Sequence, residues 1–216
     1  MIRIPTTARA LPLMVALSLA GPAAAQPGGD AAGTALALGS PAPMAATALR
    51  NIDGKDVTIA GAAGKKGTLV LFICNHCPWV KAWQGRIAEV GKAAAAKGIG
   101  VIAINSNDPA AYPEDAYDQM VQRAKDVGYT FAYAVDGTSS VARAFGASHT
   151  PEAFLFDAKG RLVYHGAVDD NAQDPKAVKS RFLADAVAAV AAGKPVATAE
   201  TKALGCGIKF RAARSD

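Results

Sequence analysis

The feature that most constrains this sequence is an apolar run that ends abruptly at two cysteines. Residues 68–73 favour a buried strand, and Cys74-Asn-His-Cys77 then leads into a helical pattern over about 77–97. A strand that passes directly into a helix is typical of an α/β sheet, in which reactive groups gather at the carboxyl ends of the strands. We therefore expect Cys74 and Cys77 to lie at such an edge.

The rest of the domain alternates between strand and helix patterns. Further strands are predicted at 57–59, 99–104 and 131–135, with a hairpin whose strands cover 152–156 and 161–164. Further helices are predicted to end at Gly128, to run from Ser139 or Ser140 to about Gly146, and to begin with Asp174 and Pro175. Alternation favours parallel pairing, and the hairpin adds an antiparallel edge. The predicted fold is α/β, with a mixed central sheet and helices on both faces.

The amino terminus has the layout of a secretory signal peptide. Arg3 and Arg9 precede an apolar run over 11–20, and small residues then lead to Ala25. A membrane span needs about 20 apolar residues, whereas this run has about ten and contains Pro12. We expect cleavage after Ala25, a mature protein without a membrane span, and a periplasmic or secreted location.

The chain divides into a signal peptide at 1–25, a flexible linker at 26–40, one domain at 41–195 and a carboxyl-terminal tail at 196–216. With 51% hydrophobic and 19% charged residues, it has the composition of a chain that buries a core. Removing the signal peptide removes two arginines and no acidic residue, so the net charge falls from +5 to +3. Such a small excess of scattered basic residues does not predict a nucleic-acid partner.

The spacing of the two cysteines predicts redox chemistry. Two intervening residues allow a small disulfide ring to close and reopen, which a redox catalyst requires. Unpaired N–H groups and the positive dipole end of the helix favour a thiolate there, and a lowered pKa makes a cysteine nucleophilic. We expect Cys74 to be that thiolate at the exposed end of the strand, with Cys77 more shielded. His76 offers a positive charge or a donor beside it.

Other uses of these cysteines stay open at this point. A structural disulfide is less expected, because so short a loop restricts the unfolded chain little. A copper or zinc site would draw on Cys74, His76, Cys77 and the distant His149, but no second close cluster completes it. Pro78 stands where covalent haem attachment needs a histidine. We therefore expect neither a metal nor a cofactor.

The stretches FICNHCPWV, TPEAFLFD and GCGIKF resemble the redoxin branch of the thioredoxin fold, specifically its peroxiredoxin-like, thiol-specific antioxidant members. The resemblance covers about residues 40–195. It implies that Pro151 is cis and faces the cysteine pair, and that the backbone of Thr150 is offered to an extended substrate peptide. It also implies that Cys74 attacks the substrate and Cys77 resolves the product.

The chain departs from the peroxiredoxin pattern at one point. Peroxiredoxins carry Pro-x-x-x-Thr-x-x-Cys around the peroxide-reactive cysteine. Aligned on Cys77, the proline position holds Val70 and the threonine position holds Cys74. The sequence therefore lacks a hydroxyl that would help to hold peroxide, and it has a thiol for exchange instead.

Two further residues are candidates for the site. Trp79, on the predicted helix, is a candidate for a docking surface. Cys206 is the odd cysteine of the chain, flanked by Gly205 and Gly207, and is either a third redox thiol in flexible surroundings or a spare one.

The predicted function is an exported thiol–disulfide oxidoreductase that acts on protein or small-molecule thiols through Cys74 and Cys77. It requires an external redox partner for recycling, because the sequence shows no partner domain. The alternatives are a thiol-dependent peroxide reductase and, after it, a copper-handling protein.

Overall fold

The computed structural model describes residues 34–212, together with Met1 and Ile2. The predicted signal peptide, its cleavage site and most of the predicted linker fall on 3–33, outside the described residues. The last part of that linker is bonded to the domain: the N–H of Leu36 donates to the Phe145 carbonyl at 3.1 Å, and the N–H of Gly39 donates to the Leu162 carbonyl at 2.8 Å.

The described part of the chain forms short strands and four helices. The strands are β1 Leu49–Asn51, β2 Asp56–Val57, β3 Gly67–Phe72, β4 Ile99–Asn105, β5 Ala132–Val135, β6 His149–Thr150, β7 Glu152–Asp157, β8 Leu162–Gly166 and β9 Cys206–Gly207. The helices are α1 Pro78–Ala96, α2 Tyr117–Val127, α3 Ser140–Phe145 and α4 Phe182–Ala191, with 3-10 turns at Pro113–Asp115 and Pro175–Ala177.

The central sheet is mixed, as predicted. Its two blocks have the orders β2-β1-β5-β4 and β3-β7-β8, and they adjoin where the Ile73 N–H donates to the Ile104 carbonyl at 3.1 Å. Strands β4 and β5 are parallel, whereas β7 is antiparallel to both β3 and β8. The hairpin of β7 and β8 therefore forms one end of the sheet.

Strand β3 contributes to a core on each face of the sheet, because successive side chains of a strand point to opposite sides. Leu69 and Leu71 pack in one core with α1, α2 and α4. Val70 and Phe72 pack in the other with α3, where the rings of Phe72 and Phe145 lie 5.3 Å apart. Burial on both faces explains why this strand reads as a continuous apolar run, and it confirms helices on both sides.

The structure corrects several predicted boundaries. Asp174 accepts from the N–H of Lys176, but it caps only the 3-10 turn Pro175–Ala177, and α4 begins later, at Phe182. Helix α1 begins at Pro78, with Cys77 as its N-cap. Strands β1, β6 and β9 were not predicted, because two or three residues are too few to show a period. No helix of the described residues combines the length and the apolarity that crossing a membrane requires.

Asp169 is a buried carboxylate that ties α1 to the loop before α4. The indole N–H of Trp83 donates to its Oδ1 at 2.7 Å, and Nη1 of Arg86 donates to its Oδ2 at 2.5 Å. The side chains of Arg86 and Asp169 are 18% and 4% exposed. Removing one member of such a pair leaves the other charge buried and unpaired.

We therefore expect Asp169→Ala to lower the free energy of unfolding by about 3 kcal/mol, measured by urea denaturation. Arg161→Ala is the control, because it removes a surface pair with Asp157 in which the arginine is 55% exposed, and such pairs contribute less than about 1 kcal/mol. Equal losses in the two variants would contradict the role of Asp169.

Candidate active site

The two cysteines lie where β3 passes into α1, as the sequence predicted. Cys77 is the N-cap of α1, with an extended backbone conformation, and Pro78 occupies the first helical position. Proline suits that position, because its missing N–H would have no intrahelical partner there. The first turn contains no acidic residue. The remaining N–H groups of the turn are therefore available to a negative charge at Cys77.

Neither cysteine is exposed. Cys74 is 1% exposed and Cys77 is 0% exposed, so the expectation of an exposed Cys74 is wrong. The loop before β7 lies across the pair: the Thr150 hydroxyl is 3.1 Å from the Cys74 sulfur, and the Thr150 carbonyl is 3.2 Å from the Cys77 sulfur. The Thr150–Pro151 peptide bond is cis, as the resemblance implied.

Hydrogen-bond donors converge on the sulfur of Cys77. When Cys77 is ionised, its sulfur accepts from the thiols of Cys74 and Cys206 and from the backbone N–H groups of Val80 and Cys206. In the thiol form, Cys77 itself donates to the Cys206 sulfur at 2.7 Å. The bond from Cys74 contributes most, and together these donors hold the pKa of Cys77 well below its ordinary value, although burial opposes ionisation. Only the thiol form of Cys77 donates to the Thr150 carbonyl, and this contact is lost on ionisation.

Cys74 is the member of the pair that keeps its proton. Donation to Cys77 raises the pKa of Cys74 most, and burial and the neighbouring Asp115 carboxylate raise it further. The Thr150 hydroxyl, which donates to this sulfur, works in the opposite direction. The sequence favoured Cys74 as the thiolate, because it could not show that Cys74 faces the buried carboxylate of Asp115. Which cysteine attacks stays a prediction.

Asp115 is a site residue that the sequence analysis missed. It is 2% exposed, and its Oδ1 accepts from the backbone N–H of Asn75 at 2.6 Å. Its Oδ2 lies 2.6 Å from Nδ1 of His76 and accepts from Asn107 at 2.8 Å. The ring of His76 also stacks on Tyr112, with centroids 3.9 Å apart. His76 is thus held by the loop after β4 and does not project freely beside a thiolate.

A second buried carboxylate, Glu152, holds the loop on the other side of the cysteines. Its Oε2 accepts from the N–H groups of Ser148 and His149 at 2.8 and 2.9 Å, and its Oε1 lies 2.6 Å from Nε2 of His165. These bonds fix the chain directly before Thr150. No pattern in the sequence pointed to this role, because Glu152 appeared only as the first residue of a predicted strand.

Cys206 lies at the site, although it is far away in the sequence. Its sulfur is 2.7 Å from that of Cys77, and it also receives the backbone N–H of Trp79. Burial, followed by the hydrogen bond to Cys77 and the charge there, raises the pKa of Cys206 to about 11. All three cysteines are free thiols. Cys206 belongs to a strand, β9, and not to flexible surroundings.

The remaining predicted residues lie near the site in different roles. Trp79 is half-buried against the core, with its ring 5.9 Å from that of Trp83, and its role in docking stays a prediction. His149 is bonded to the Ser148 hydroxyl at 2.7 Å, and it is not part of the cluster of possible metal ligands that contains Cys74.

One group of side chains has the chemistry of a metal site. A sulfur of Cys74, a nitrogen of His76 and a carboxylate oxygen of Asp115 all lie within 4.8 Å of one another. Sulfur, nitrogen and oxygen donors together suit zinc or copper. In this structure the same atoms already bond to one another and to Thr150 and Asn107. Metal content of the purified protein tests this alternative.

Comparisons with known proteins identify the family and the fold of this chain. The sequence profile of the family described as Redoxin matches residues 37–186. A hypothetical protein from Sinorhizobium meliloti 1021 is 38% identical, with 83% of this chain and 97% of that chain covered and a TM-score of 0.76. An uncharacterized conserved protein from Geobacillus kaustophilus is 35% identical, with 84% and 96% covered and a TM-score of 0.78.

A peroxidoxin from Mycobacterium tuberculosis shares the fold at 12% identity, with 72% of this chain and 96% of that chain covered and a TM-score of 0.55. A thioredoxin-like protein in its oxidised form also shares the fold, at 20% identity, with 73% of this chain and 97% of that chain covered and a TM-score of 0.56, which confirms the thioredoxin-like architecture. A search of curated proteins found no match.

The donor role of Cys74 predicts how its removal changes the titration of the site. In the wild-type protein, the thiolate of Cys77 should persist as the pH falls through neutrality. Cys74→Ala removes the strongest donor, so the pKa of Cys77 should rise and the thiolate should be lost at a higher pH. Ultraviolet absorbance of the thiolate measures this directly. Cys74→Ser is the matched control, because its hydroxyl still donates; an unchanged curve in Cys74→Ala would contradict the assignment.

Proposed function

This chain belongs to the Redoxin family, so its function is a redox function, and we propose that it is a thiol–disulfide oxidoreductase in which Cys77 attacks and Cys74 resolves. The substrates are disulfides or thiols of proteins or small molecules, and an external dithiol or disulfide recycles the pair. This assignment reverses the two roles that the resemblance implied.

The observation that carries the proposal is the convergence of donors on one sulfur. Ionised Cys77 receives hydrogen bonds from two thiols and from the backbone at the start of α1. Cys74 receives fewer, from the Thr150 hydroxyl and the Cys77 backbone N–H, and it also faces the carboxylate of Asp115. A single negative charge is therefore more stable on Cys77 than on Cys74. A thiolate, and not a thiol, is the attacking species in disulfide exchange.

The exchange proceeds in two displacements. In the first, the Cys77 thiolate attacks one sulfur of the substrate disulfide, which forms a mixed disulfide and releases one substrate thiolate. In the second, Cys74 loses its proton and attacks the Cys77 sulfur, which forms the Cys74–Cys77 disulfide and releases the other substrate thiolate. The substrate disulfide is reduced by two electrons, and the cysteine pair is oxidised by two.

The charge on Cys77 also sets the order of these steps. While that charge is present, a second thiolate at Cys74 would face both it and Asp115, so Cys74 stays protonated. Formation of the mixed disulfide removes the charge from Cys77. Cys74 then no longer faces that charge and ionises more readily. His76, held by Asp115 and with a nitrogen within 4.8 Å of the Cys74 sulfur, is positioned to accept that proton.

Trapping of the mixed disulfide tests the assignment. Incubation of Cys74→Ser with a model protein disulfide should accumulate a covalent adduct through Cys77, because no neighbouring Cys74 thiol resolves it. Cys77→Ser should form few adducts and should lose reductase activity. Mass spectrometry of the digested adducts identifies the bonded cysteine. Predominant trapping through Cys74 in the Cys77→Ser variant would restore the original roles and refute this proposal.

A peroxide reductase is the second candidate, and one observation favours it. Cys77 aligns with the peroxide-reactive cysteine of peroxiredoxins, and donors converge on this same sulfur. A peroxide would leave Cys77 as a sulfenic acid, which condenses with a neighbouring thiol and releases water. Consumption of hydrogen peroxide by the reduced protein, compared with its reduction of a protein disulfide, separates the two functions.

Export is part of the proposal and is supported by the sequence of residues 1–25. The intact mass of the protein recovered from a secreting host should correspond to a chain that begins at Gln26. A full-length mass in the exported fraction would contradict cleavage after Ala25.

A further inference from the structure

The carboxyl-terminal segment runs across the site as a paired strand. In β9, Cys206 lies opposite Thr150 and Gly207 lies opposite His149, in an antiparallel pair with β6. The N–H of Ile208 donates to the Ser148 carbonyl at 2.9 Å. Cys206 is therefore paired with Thr150, whose hydroxyl contacts the Cys74 sulfur and whose carbonyl contacts the Cys77 sulfur.

The segment is anchored on both sides of Cys206. Before it, the N–H of Thr201 donates to the His165 carbonyl at 3.0 Å, and the Thr201 hydroxyl accepts from the N–H of Ala167 at 2.9 Å. After it, the N–H of Lys209 donates to Asn107 at 2.8 Å. Cys206 is thus held against Cys77 from two directions.

The three sulfurs form a series from the interior to the surface. Cys74 and Cys77 are buried, and Cys206 is partly exposed. Cys77 is the middle member: it hydrogen-bonds to Cys74 on one side and lies 2.7 Å from Cys206 on the other. A thiol that approaches from solvent meets Cys206 first.

We propose that Cys206 is a third exchange thiol, which forms a disulfide with Cys77 and is the sulfur that an external thiol attacks when the protein is recycled. This inference rests on the proposed function, because it requires the Cys74–Cys77 pair to be oxidised. It gives a redox partner a more exposed sulfur to attack than either member of the buried pair.

The relay balances at each step. The Cys206 thiolate attacks the Cys77 sulfur of the Cys74–Cys77 disulfide, forming Cys77–Cys206 and releasing the Cys74 thiolate, which takes up the proton that Cys206 lost. An external thiolate then attacks Cys206, forming a mixed disulfide and releasing the Cys77 thiolate. A second external thiol frees Cys206, so two external thiols become one disulfide and the protein gains two electrons.

Two physical reasons direct the external attack to Cys206. Its sulfur is the accessible end of the Cys77–Cys206 bond, and thiol exchange depends on access. In addition, attack there releases Cys77, and the thiol with the lower pKa leaves faster. Attack on the Cys77 sulfur would have to release Cys206, the poorer leaving group, from a buried position.

Two measurements, one on Cys74→Ser and one on Cys206→Ser, test the proposal. After mild diamide oxidation, Cys74→Ser should contain a Cys77–Cys206 disulfide, seen as a loss of two hydrogens in the intact mass and as a linked peptide pair. Oxidised Cys206→Ser, which retains Cys74–Cys77, should be reduced by glutathione at least about tenfold more slowly than the oxidised wild type, the effect of a barrier about 1.4 kcal/mol higher.

The glycines on either side of Cys206, Gly205 and Gly207, give a matched test of the positioning. A Cβ at Gly205 would collide with the backbone carbonyl of Thr150, whereas one at Gly207 would meet only the Ser148 carbonyl oxygen, at an ordinary 3.9 Å. Gly205→Ala should therefore slow both closure of Cys77–Cys206 and reduction by glutathione, and Gly207→Ala should leave both unchanged.

The outcomes separate this inference from the proposed function. If Cys206→Ser still forms Cys74–Cys77 and is reduced as fast as the wild type, the relay is wrong and the oxidoreductase proposal stands. Absence of the Cys77–Cys206 disulfide from oxidised Cys74→Ser would also overturn the relay. Failure of Cys74 and Cys77 to form a disulfide in both the wild type and Cys206→Ser would instead contradict the proposed function.

Discussion

The proposed exchange depends on one interaction, the stabilisation of a negative charge on Cys77. The charge lies at the start of α1 and receives hydrogen bonds from Cys74, from Cys206 and from the backbone of Val80. Because these donors include both other thiols, the three cysteines form one unit that carries a single charge. In each displacement of the proposed exchange, the negative charge passes from the attacking sulfur to the sulfur that is released.

Two buried carboxylates hold this unit in place from opposite sides. Asp115 fixes the residues between the cysteines through the N–H of Asn75 and the ring of His76. Glu152 fixes the loop that carries the Thr150 carbonyl and hydroxyl against the sulfurs. Each carboxylate is paired with a histidine, so the groups that line the thiols are rigid before a substrate arrives.

Local patterns predicted the fold better than they predicted the site. The apolar run before Cys74 identified a strand buried on both faces, and the spacing of Trp83 and Ile87 identified α1. The choice between Cys74 and Cys77 as the thiolate depends on Asp115, which is far from Cys74 in sequence and reaches it only through the fold. The position of Cys206 was equally hidden, since β9 is too short to show a strand period.

The most direct test is a site-resolved titration of the reduced wild-type protein labelled with carbon-13 at each cysteine Cβ. The NMR shift of each carbon reports the ionisation of its own sulfur, so no substitution disturbs the hydrogen bonds among the thiols. The Cys77 carbon should titrate at the lowest pH, and the carbons of Cys74 and Cys206 should titrate well above it. Titration of Cys74 before Cys77 would contradict the assignment of the attacking thiolate.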